Sequence, residues 1–307
     1  MSALRPGADT ADGTGAAAGR ARRPRRSFVA SVASPGKAAG AVLVHLILGA
    51  LALLFLLPLL WMLFASVDGE ATLRAGLPTA LTLDNFRAIL TPEIVYRPLW
   101  NSVLTCGGAA VITAFCSMLA AYPLSRYSLR FKRPFLYTVL FATGLPITAI
   151  MVPVYGLFVN AGLLNSLWAT TLFLAASTLP FGIWLTKNFI DGIPIALEEA
   201  AWVDGASTWQ SIRYLVAPLL APGLAVVGIF TLVSTWGNFF VPFILLTSPD
   251  KMPAAVRVFT FFGQYGSVRY GELAAYSLLY TLPVVALYVA VSRAMGGRFT
   301  LGGAMKG

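Results

Sequence analysis

The sequence predicts an all-α integral membrane protein with six transmembrane helices, and three observations support this fold class. Of its 307 residues, 58% are hydrophobic and only 11% are charged, whereas a soluble domain is about half apolar and a quarter charged. Six apolar segments reach the roughly 20 residues that a helix needs to cross a bilayer. Lys and Arg are unequally divided between the loops on alternate sides of these segments.

The predicted helices lie near 41–66, 101–124, 135–158, 167–190, 219–247 and 274–294. Their cores contain no Asp, Glu, Lys or Arg. His45 is an ionisable residue within a span and therefore a functional candidate. Because the spans lack the carboxylates of a proton relay, we interpret it as a neutral packing residue. Cys106 and Cys116 share one span, and we interpret them as small packing residues rather than a disulfide or metal site.

The charge distribution predicts the orientation. Sixteen of the 22 Lys and Arg residues fall on the side of the two termini and six on the other, so both termini should be cytoplasmic. Residues 1–37 have no apolar pattern and are predicted to be a disordered basic tail. RRSFVA (25–30) is similar to a twin-arginine export signal, but the following apolar run is long enough to span, which favours a basic anchor.

The loop at 191–218 is acidic in a chain whose formal net charge is +10. Asp191, Glu198, Glu199 and Asp204 oppose Arg213 alone, which gives the loop a net charge of −3. A helix lying on an anionic leaflet should instead be rich in Lys and Arg. We therefore expect this loop to dock into a protein partner.

Local signals in the loop predict a helix, a glycine turn and a second helix. Pro194 suits a first helical turn, and Gly205 suits the left-handed residue that ends a helix. Ser207 and Gln210 have the spacing of a capping box, and Pro218 is expected to end the second helix before the fifth span begins. Small and apolar faces of the two helices are predicted at Ala196, Ala200 and Ala201, and at Trp209, Ile212 and Val216.

One motif in this loop resembles the EAA loop of binding-protein-dependent ABC importer permeases. It consists of Glu199-Ala200-Ala201, three residues, Gly205, nine residues, and then Leu215-Val216-Ala217-Pro218. Leu215 stands where the family has Ile, and Ala217 where it has Leu. The resemblance implies that the loop is a coupling helix seated in a groove of a separate ATPase subunit. Asp204 lies within the same segment and is included among the candidate coupling residues.

Further segments from about residue 97 onward resemble the carbohydrate branch, of the maltose type. They are AAYPLSRY (120–127), MVPVYGLFVNAGLLNSLWA (151–169), PFGIWLTKNFIDGIPIALEEAA (180–201), TWGNFFVPFIL (235–245) and FTLGGAMKG (299–307). Gly237 and Asn238 depart from the family's Asn and acid. The resemblance implies a type-1 importer fold, with a permease core at 97–294 that holds five of the six spans and a cytoplasmic tail at 295–307, in a prokaryotic cell membrane.

The sequence indicates a transport subunit and not an enzyme. There is no G-x-x-x-x-G-K-[ST] phosphate loop, and a single histidine leaves no Ser-His-Asp or Cys-His set. No cofactor is expected in this chain, since the resemblance places ATP and magnesium on the partner. It further implies two ATPase copies, a second homologous permease in a heterodimer, and an extracytoplasmic solute-binding protein.

The fifth span offers candidate groups for a solute pathway. Uncharged polar side chains at three- and four-residue spacing, next to aromatic rings, could bind a sugar, although such residues also bond neighbouring helices. The candidates are Thr231, Ser234, Thr235, Trp236, Asn238 and, from the sixth span, Tyr280; Tyr155, Tyr276 and Thr281 are weaker.

The expected solute is a neutral carbohydrate. A polyamine, phosphate or peptide is the alternative within the same superfamily. A secondary transporter or channel would require intramembrane charges or internal repeats, and neither is found. A membrane anchor for another complex would explain the acidic loop but not six charge-free spans.

Overall fold

A computed structural model describes residues 35–74, 76–262 and 268–294. Within these ranges the regular secondary structure is helical, apart from two isolated bridges, Asp68–Leu81 and Phe262–Val268. The helices are α1 (Pro35–Ser66), α2 (Asp84–Ile89), α3 (Pro92–Arg126), α4 (Lys132–Thr143), α5 (Ile147–Asn160), α6 (Leu167–Asp191), α7 (Ile195–Val203), α8 (Thr208–Trp236), α9 (Phe240–Leu245), α10 (Ala254–Arg257) and α11 (Tyr270–Ala294).

Five described helices are long and apolar enough to cross a membrane, and α4 with α5 makes a sixth if that bent pair is one span. The all-α class and the number of spans therefore agree with the prediction. The chain divides into residues 1–54 and 55–307. The described part of the first unit is the apolar N-terminal portion of α1. Most of the predicted tail at 1–37, and all of the tail at 295–307, lie outside the described residues.

The third predicted span is not one straight helix. α4 and α5 meet at an angle of 96°, with Gly144, Leu145 and Pro146 between them. Pro146 has ψ of 125° and precedes α5 as an extended residue. A proline has no N–H for the helical ladder and disfavours helical geometry in the residue before it, which explains the break that a count of apolar residues missed.

The fifth predicted span, 219–247, is also divided. α8 ends at Trp236, and α9 begins at Phe240 after a short break. In the break, the side-chain oxygen of Asn238 accepts a hydrogen bond from the backbone N–H of Val241 at 3.1 Å. Asn238 therefore caps the start of α9. A hydrogen bond from a short amide side chain to the nearby backbone competes with continuation of the helix, which fits the break at this point.

The core forms where α3 packs against α6 and α8. The hydroxyls of Thr113 and Thr178 lie 3.0 Å apart, and those of Ser117 and Thr186 also lie 3.0 Å apart. A Cβ at Gly182 would come within 2.9 Å of the Thr113 methyl carbon. Small residues and interhelical hydroxyl bonds are the usual means by which helices associate in lipid.

A polar loop follows α1 at the end of the molecule away from α7. Asp68 is 9% exposed, and one of its oxygens accepts hydrogen bonds from the backbone N–H groups of Glu70, Thr79 and Ala80 and from the Thr79 hydroxyl. Burial raises the pKa of Asp68, but these four bonds outweigh burial and hold that pKa below its usual value. The Asn85 amide bonds the carbonyls of Ser66 and Asp68, which ties the loop to α2.

Candidate functional site

The first helix of the acidic loop ends as its glycine predicts. α7 stops at Val203, and Gly205 has φ of 89°, in the left-handed region. The N–H of Ala206 bonds the Ala201 carbonyl at 2.9 Å, and the N–H of Gly205 bonds the Trp202 carbonyl at 3.0 Å. This pair of bonds is a Schellman motif. It turns the chain sharply between the two loop helices.

The second helix of the loop begins with the predicted capping box. The Ser207 hydroxyl accepts from the N–H of Gln210 at 3.3 Å, while the Gln210 side-chain oxygen accepts from the N–H of Ser207 at 2.7 Å. The two bonds satisfy donors that the first helical turn leaves unpaired.

The prediction that Pro218 ends this helix is wrong. α8 runs without interruption from Thr208 to Trp236, and the segment Ser211–Val216 has π-helical hydrogen bonding. The N–H of Ala217 reaches back five residues to the Ile212 carbonyl. Pro218 thus follows a widened turn that accommodates its missing N–H, so the loop continues rigidly into the fifth span.

A buried ion pair anchors the loop. Glu198 is fully buried, and its Oε1 accepts from the Arg126 Nε at 2.6 Å, with the Arg126 side chain 7% exposed. The Tyr122 hydroxyl donates to Glu198 Oε2 at 2.8 Å, and the Arg126 guanidinium also donates to the Ile193 carbonyl at 2.9 Å. Because both carboxylate oxygens and two of the three guanidinium nitrogens have partners, the desolvated pair is compensated and fixes α7 against the end of α3.

A second polar contact lies at the start of the loop. Ser125 donates to one carboxylate oxygen of Asp191, and Lys187 donates to the other, both at 2.5 Å. An apolar cluster of Ala121, Tyr122, Ile190, Val216 and Leu220 fills the space beneath these contacts. The base of the loop is therefore held by both packing and charge.

The opposite surface of the loop is open and apolar. Val203 is 87% exposed, and Trp202, Trp209 and Tyr214 are also exposed. A cavity of about 450 Å³ lies between the two loop helices, lined by Ala201, Asp204, Gly205, Ala206, Gln210, Ser211, Tyr214 and Leu215. The Ser211 hydroxyl is buried and has no hydrogen-bond partner among the residues that the structure describes. An exposed apolar patch is typical of a protein interface.

Most residues of the motif lie at this surface, whereas Val216 is buried in the cluster at the base of the loop. Glu199, Ala200, Asp204 and Pro218 are exposed, while Ala201 and Leu215 are half-buried. Sequence reasoning missed the buried Glu198 with Arg126 and Tyr122. A signal for them was available, since Arg126 ends an otherwise charge-free span and Glu198 is a second acid directly beside the motif's Glu199.

The predicted pathway residues of the fifth span do not share one open face. Thr231, Thr235 and Trp236 are buried inside the chain, whereas Ser234 is exposed and Asn238 is half-buried. The Trp236 indole donates to the Tyr280 carbonyl at 3.2 Å, and the Tyr280 hydroxyl donates to the Trp236 carbonyl at 2.6 Å. These rings stack on each other with centroids 5.8 Å apart, so within this chain they join α8 to α11.

A separate cavity of about 410 Å³ lies at the bend of the third span. Its wall is mostly apolar, with the hydroxyl-bearing Thr143 and Ser177 among the lining residues. Both residues are exposed, and their hydroxyls also bond backbone carbonyls one turn earlier. Interrupted helices at membrane depth occur where backbone lines a cavity or is covered by protein.

Comparison with known proteins places these features in one family. Residues 113–296 match the family described as "Binding-protein-dependent transport system inner membrane component". The diacetylchitobiose uptake system permease protein NgcG of Streptomyces coelicolor is 26% identical, over 85% of this chain and 88% of that protein. The trehalose transport system permease protein SugB of Mycobacterium tuberculosis is 28% identical, over 82% and 93%.

A solved structure has the same fold. It is a chain of a bacterial ABC transporter involved in the import of the acidic polysaccharide alginate, with a TM-score of 0.74. The two chains are 21% identical, and the match covers 85% of this chain and 98% of the other. The likeness confirms the importer permease fold that the resemblance implied.

Proposed function

The chain belongs to the family of inner membrane components of binding-protein-dependent transport systems, and from that premise we propose that it imports a neutral sugar or oligosaccharide, driven by ATP. It is a multi-pass transport subunit rather than an enzyme, and it works with an ATPase and a solute-binding protein. The observation on which the proposal depends most is the loop at 191–218, which is rigidly anchored at its base and apolar at its open surface.

That loop is the docking surface for the ATPase. Its tip presents Val203 and Trp209 to a partner. The Glu198–Arg126 pair transmits movement of the tip to α3, and the uninterrupted α8 transmits it to the fifth span. Two packed routes therefore lead from the docking surface into the membrane, and packed contacts of this kind can carry coupling between distant sites.

The orientation follows from the same loop. ATP hydrolysis takes place in the cytoplasm, so the loop faces the cytoplasm together with the side richer in Lys and Arg. Both termini are then cytoplasmic, as six spans require. The polar loop held by Asp68 faces outward, towards the solute-binding protein.

The solute pathway of this chain runs past the bend of the third span. Thr143 and Ser177 offer hydroxyls there, and Phe173 offers a ring, around a cavity that opens to the surface. Ser234 and Asn238 remain candidates on the fifth span. We assign Thr231, Thr235, Trp236 and Tyr280 to packing instead. Thr231 and Thr235 are buried within this chain, and Trp236 and Tyr280 bond each other between α8 and α11.

A neutral solute suits this pathway. Residues 134–186 and 214–249 contain no acidic or basic side chain. A charged solute would therefore cross without a counter-ion, at a high energetic cost in apolar surroundings. A sugar requires only hydrogen-bond donors and acceptors with a ring to stack against. The sugar-related names of NgcG and SugB support the same solute class.

The working complex contains two permeases and two ATPase copies, with ATP and Mg²⁺ on the ATPase. The permeases are a heterodimer of this chain with a homologue. Purification through this chain should yield a second permease band and an ATPase. Recovery of this chain and the ATPase alone, in equal amounts, would instead indicate a homodimer.

Uptake of labelled solutes tests the substrate class. Cells with and without this chain are given neutral di- and oligosaccharides, uronic acid oligomers, a polyamine, phosphate and a peptide. We expect loss of uptake of at least one neutral sugar and of none of the charged solutes. Loss of a charged solute alone would refute a neutral substrate while leaving the importer assignment intact.

A further inference from the structure

A groove between the end of α3 and the start of α4 is lined by none of the residues assigned above to coupling or to the solute pathway. We call it the basic groove; it has a volume of about 460 Å³ and is lined by Ala120, Pro123, Leu124, Leu129, Arg130, Phe131, Lys132 and Phe135. Its volume lies within the roughly 300–1,000 Å³ of small-molecule sites. It opens at the end of the spans that carries the coupling loop.

The wall of the basic groove is almost entirely apolar. Pro123 and Leu124 belong to α3, while Leu129 and Phe131 belong to the connection and Phe135 to α4. Phe131 is 72% exposed, and Leu129 and Phe135 are also exposed. This apolar surface is at the boundary of the membrane, where a hydrocarbon chain is the most abundant apolar neighbour.

The rim of the basic groove is cationic. Arg130 and Lys132 line it. Neither forms an ion pair with a carboxylate in the parts of the chain that the structure describes. The acids nearest in the fold are already engaged, Glu198 by Arg126 and Asp191 by Lys187. Asp191 also lies close enough to Lys132 to interact with that cation electrostatically, so the rim carries a net positive charge that Asp191 offsets only in part.

We propose that the basic groove binds an anionic glycerophospholipid, with an acyl chain against the apolar wall and the phosphate on Arg130 and Lys132. Basic pockets between helices on the cytoplasmic side are suited to such headgroups. A free phosphate would match the cationic rim but would leave the apolar wall uncovered. The N-terminal segment is itself rich in Arg, so the cationic rim would repel it. Neither occupant matches both halves of the groove. The inference rests on the orientation proposed above.

The test uses the full-length chain purified in a neutral detergent, with lipid binding counted by native mass spectrometry. Phosphatidylglycerol and phosphatidylcholine with the same acyl chains are titrated separately. The test variant is Arg130→Gln with Lys132→Gln; the charge-matched control is Arg133→Gln with Arg293→Gln, both of which lie outside the groove. A third variant, Ala120→Phe, fills the apolar wall and leaves the charge unchanged.

We expect about 30-fold weaker phosphatidylglycerol binding in the test variant, from two lost cations at a membrane interface. The control should change by about threefold or less, and phosphatidylcholine binding should not change. Ala120→Phe should also weaken phosphatidylglycerol, and inorganic phosphate should not compete with it.

Equal losses in test and control would mean that the cations act only through surface potential, which overturns the site. Competition by inorganic phosphate would also overturn it, since the apolar wall would then contribute nothing. Orientation is checked independently by labelling Phe131→Cys in a background without the native cysteines, using a reagent that cannot cross the membrane. Labelling from outside the cell would refute the proposed topology and leave the lipid measurement standing.

Discussion

Replacement of Glu198 by Gln should destabilise the chain far more than the same change at Glu199. Glu198 is fully buried and pairs with Arg126 at 2.6 Å, whereas Glu199 is exposed. Glu198→Gln leaves the Arg126 guanidinium buried without a counter-charge. Two unit charges about 4 Å apart attract by about 4 kcal/mol at an effective dielectric constant near 20, and loss of one partner of a buried pair costs about 3–5 kcal/mol. Glu199→Gln should change stability by less than about 0.5 kcal/mol.

The assay is equilibrium unfolding of the purified chain in mixed micelles by increasing denaturing detergent, followed by circular dichroism. A double-mutant cycle isolates the pair, with Arg126→Met and Glu198→Leu made singly and together. Because an apolar pair of similar volume can replace a buried ion pair, the double variant should recover most of the stability lost in either single variant. The Tyr122 hydroxyl loses its acceptor in that variant, so a residual loss of about 1 kcal/mol is expected.

A coupling energy below about 0.5 kcal/mol would refute this reasoning, because the two side chains would then act independently. Equal destabilisation by Glu198→Gln and Glu199→Gln would refute it as well. A further readout separates anchoring from stability alone: at a temperature where Glu198→Gln remains folded, solute-stimulated ATP hydrolysis should fall while basal hydrolysis stays unchanged.

Four other predictions follow from the described geometry. Gly205→Val should cost about 1–2 kcal/mol of stability, since φ of 89° is strained for a β-branched residue, and solute-stimulated ATP hydrolysis should drop. Gly205→Asn should stay close to wild type because Asn tolerates this conformation. Normal transport by the Val variant would show that the turn is not part of the mechanism. Glu199→Lys should weaken pull-down of the ATPase more than Glu199→Gln does, and equal assembly of both would limit this acid to a local role. Thr231→Val should leave uptake unchanged and raise the free energy of unfolding by about 1–3 kcal/mol, because the buried Thr231 hydroxyl has no partner among the described residues. Slower uptake would indicate that Thr231 belongs to the solute pathway after all. Ser177→Phe should fill the cavity at the bend and slow uptake with no loss of assembly, whereas wild-type uptake would mean that the solute does not pass there.

The sequence predicted those parts of the fold that depend on local chemistry. Apolar length identified the spans, the left-handed preference of glycine identified Gly205, and hydrogen-bond spacing identified the Ser207–Gln210 capping box. Each of these features depends on residues within a few positions of one another. Local rules therefore suffice, and the structure agrees with them.

Features that depend on contacts between distant residues were not predicted. The Glu198–Arg126 pair joins residues that lie 72 positions apart, and no local pattern determines which of two adjacent acids turns inward. The face at Thr231 and Thr235 was expected to be open, but both residues are buried. Helical spacing shows which residues share a face, and it does not show what covers that face. Pro146 and Pro218 show the same limit. Pro146 divides a span, whereas Pro218 follows a π turn that accommodates its missing N–H, so the helix continues.

The most direct test of the account is solute uptake into proteoliposomes that contain the complex purified through this chain. The solute-binding protein and a labelled neutral sugar are supplied on one side and ATP on the other. We predict uptake that requires ATP, stops when ATP is replaced by a non-hydrolysable analogue, and is unaffected by a protonophore. Uptake without ATP, or uptake that a protonophore abolishes, would contradict the account and indicate a secondary transporter.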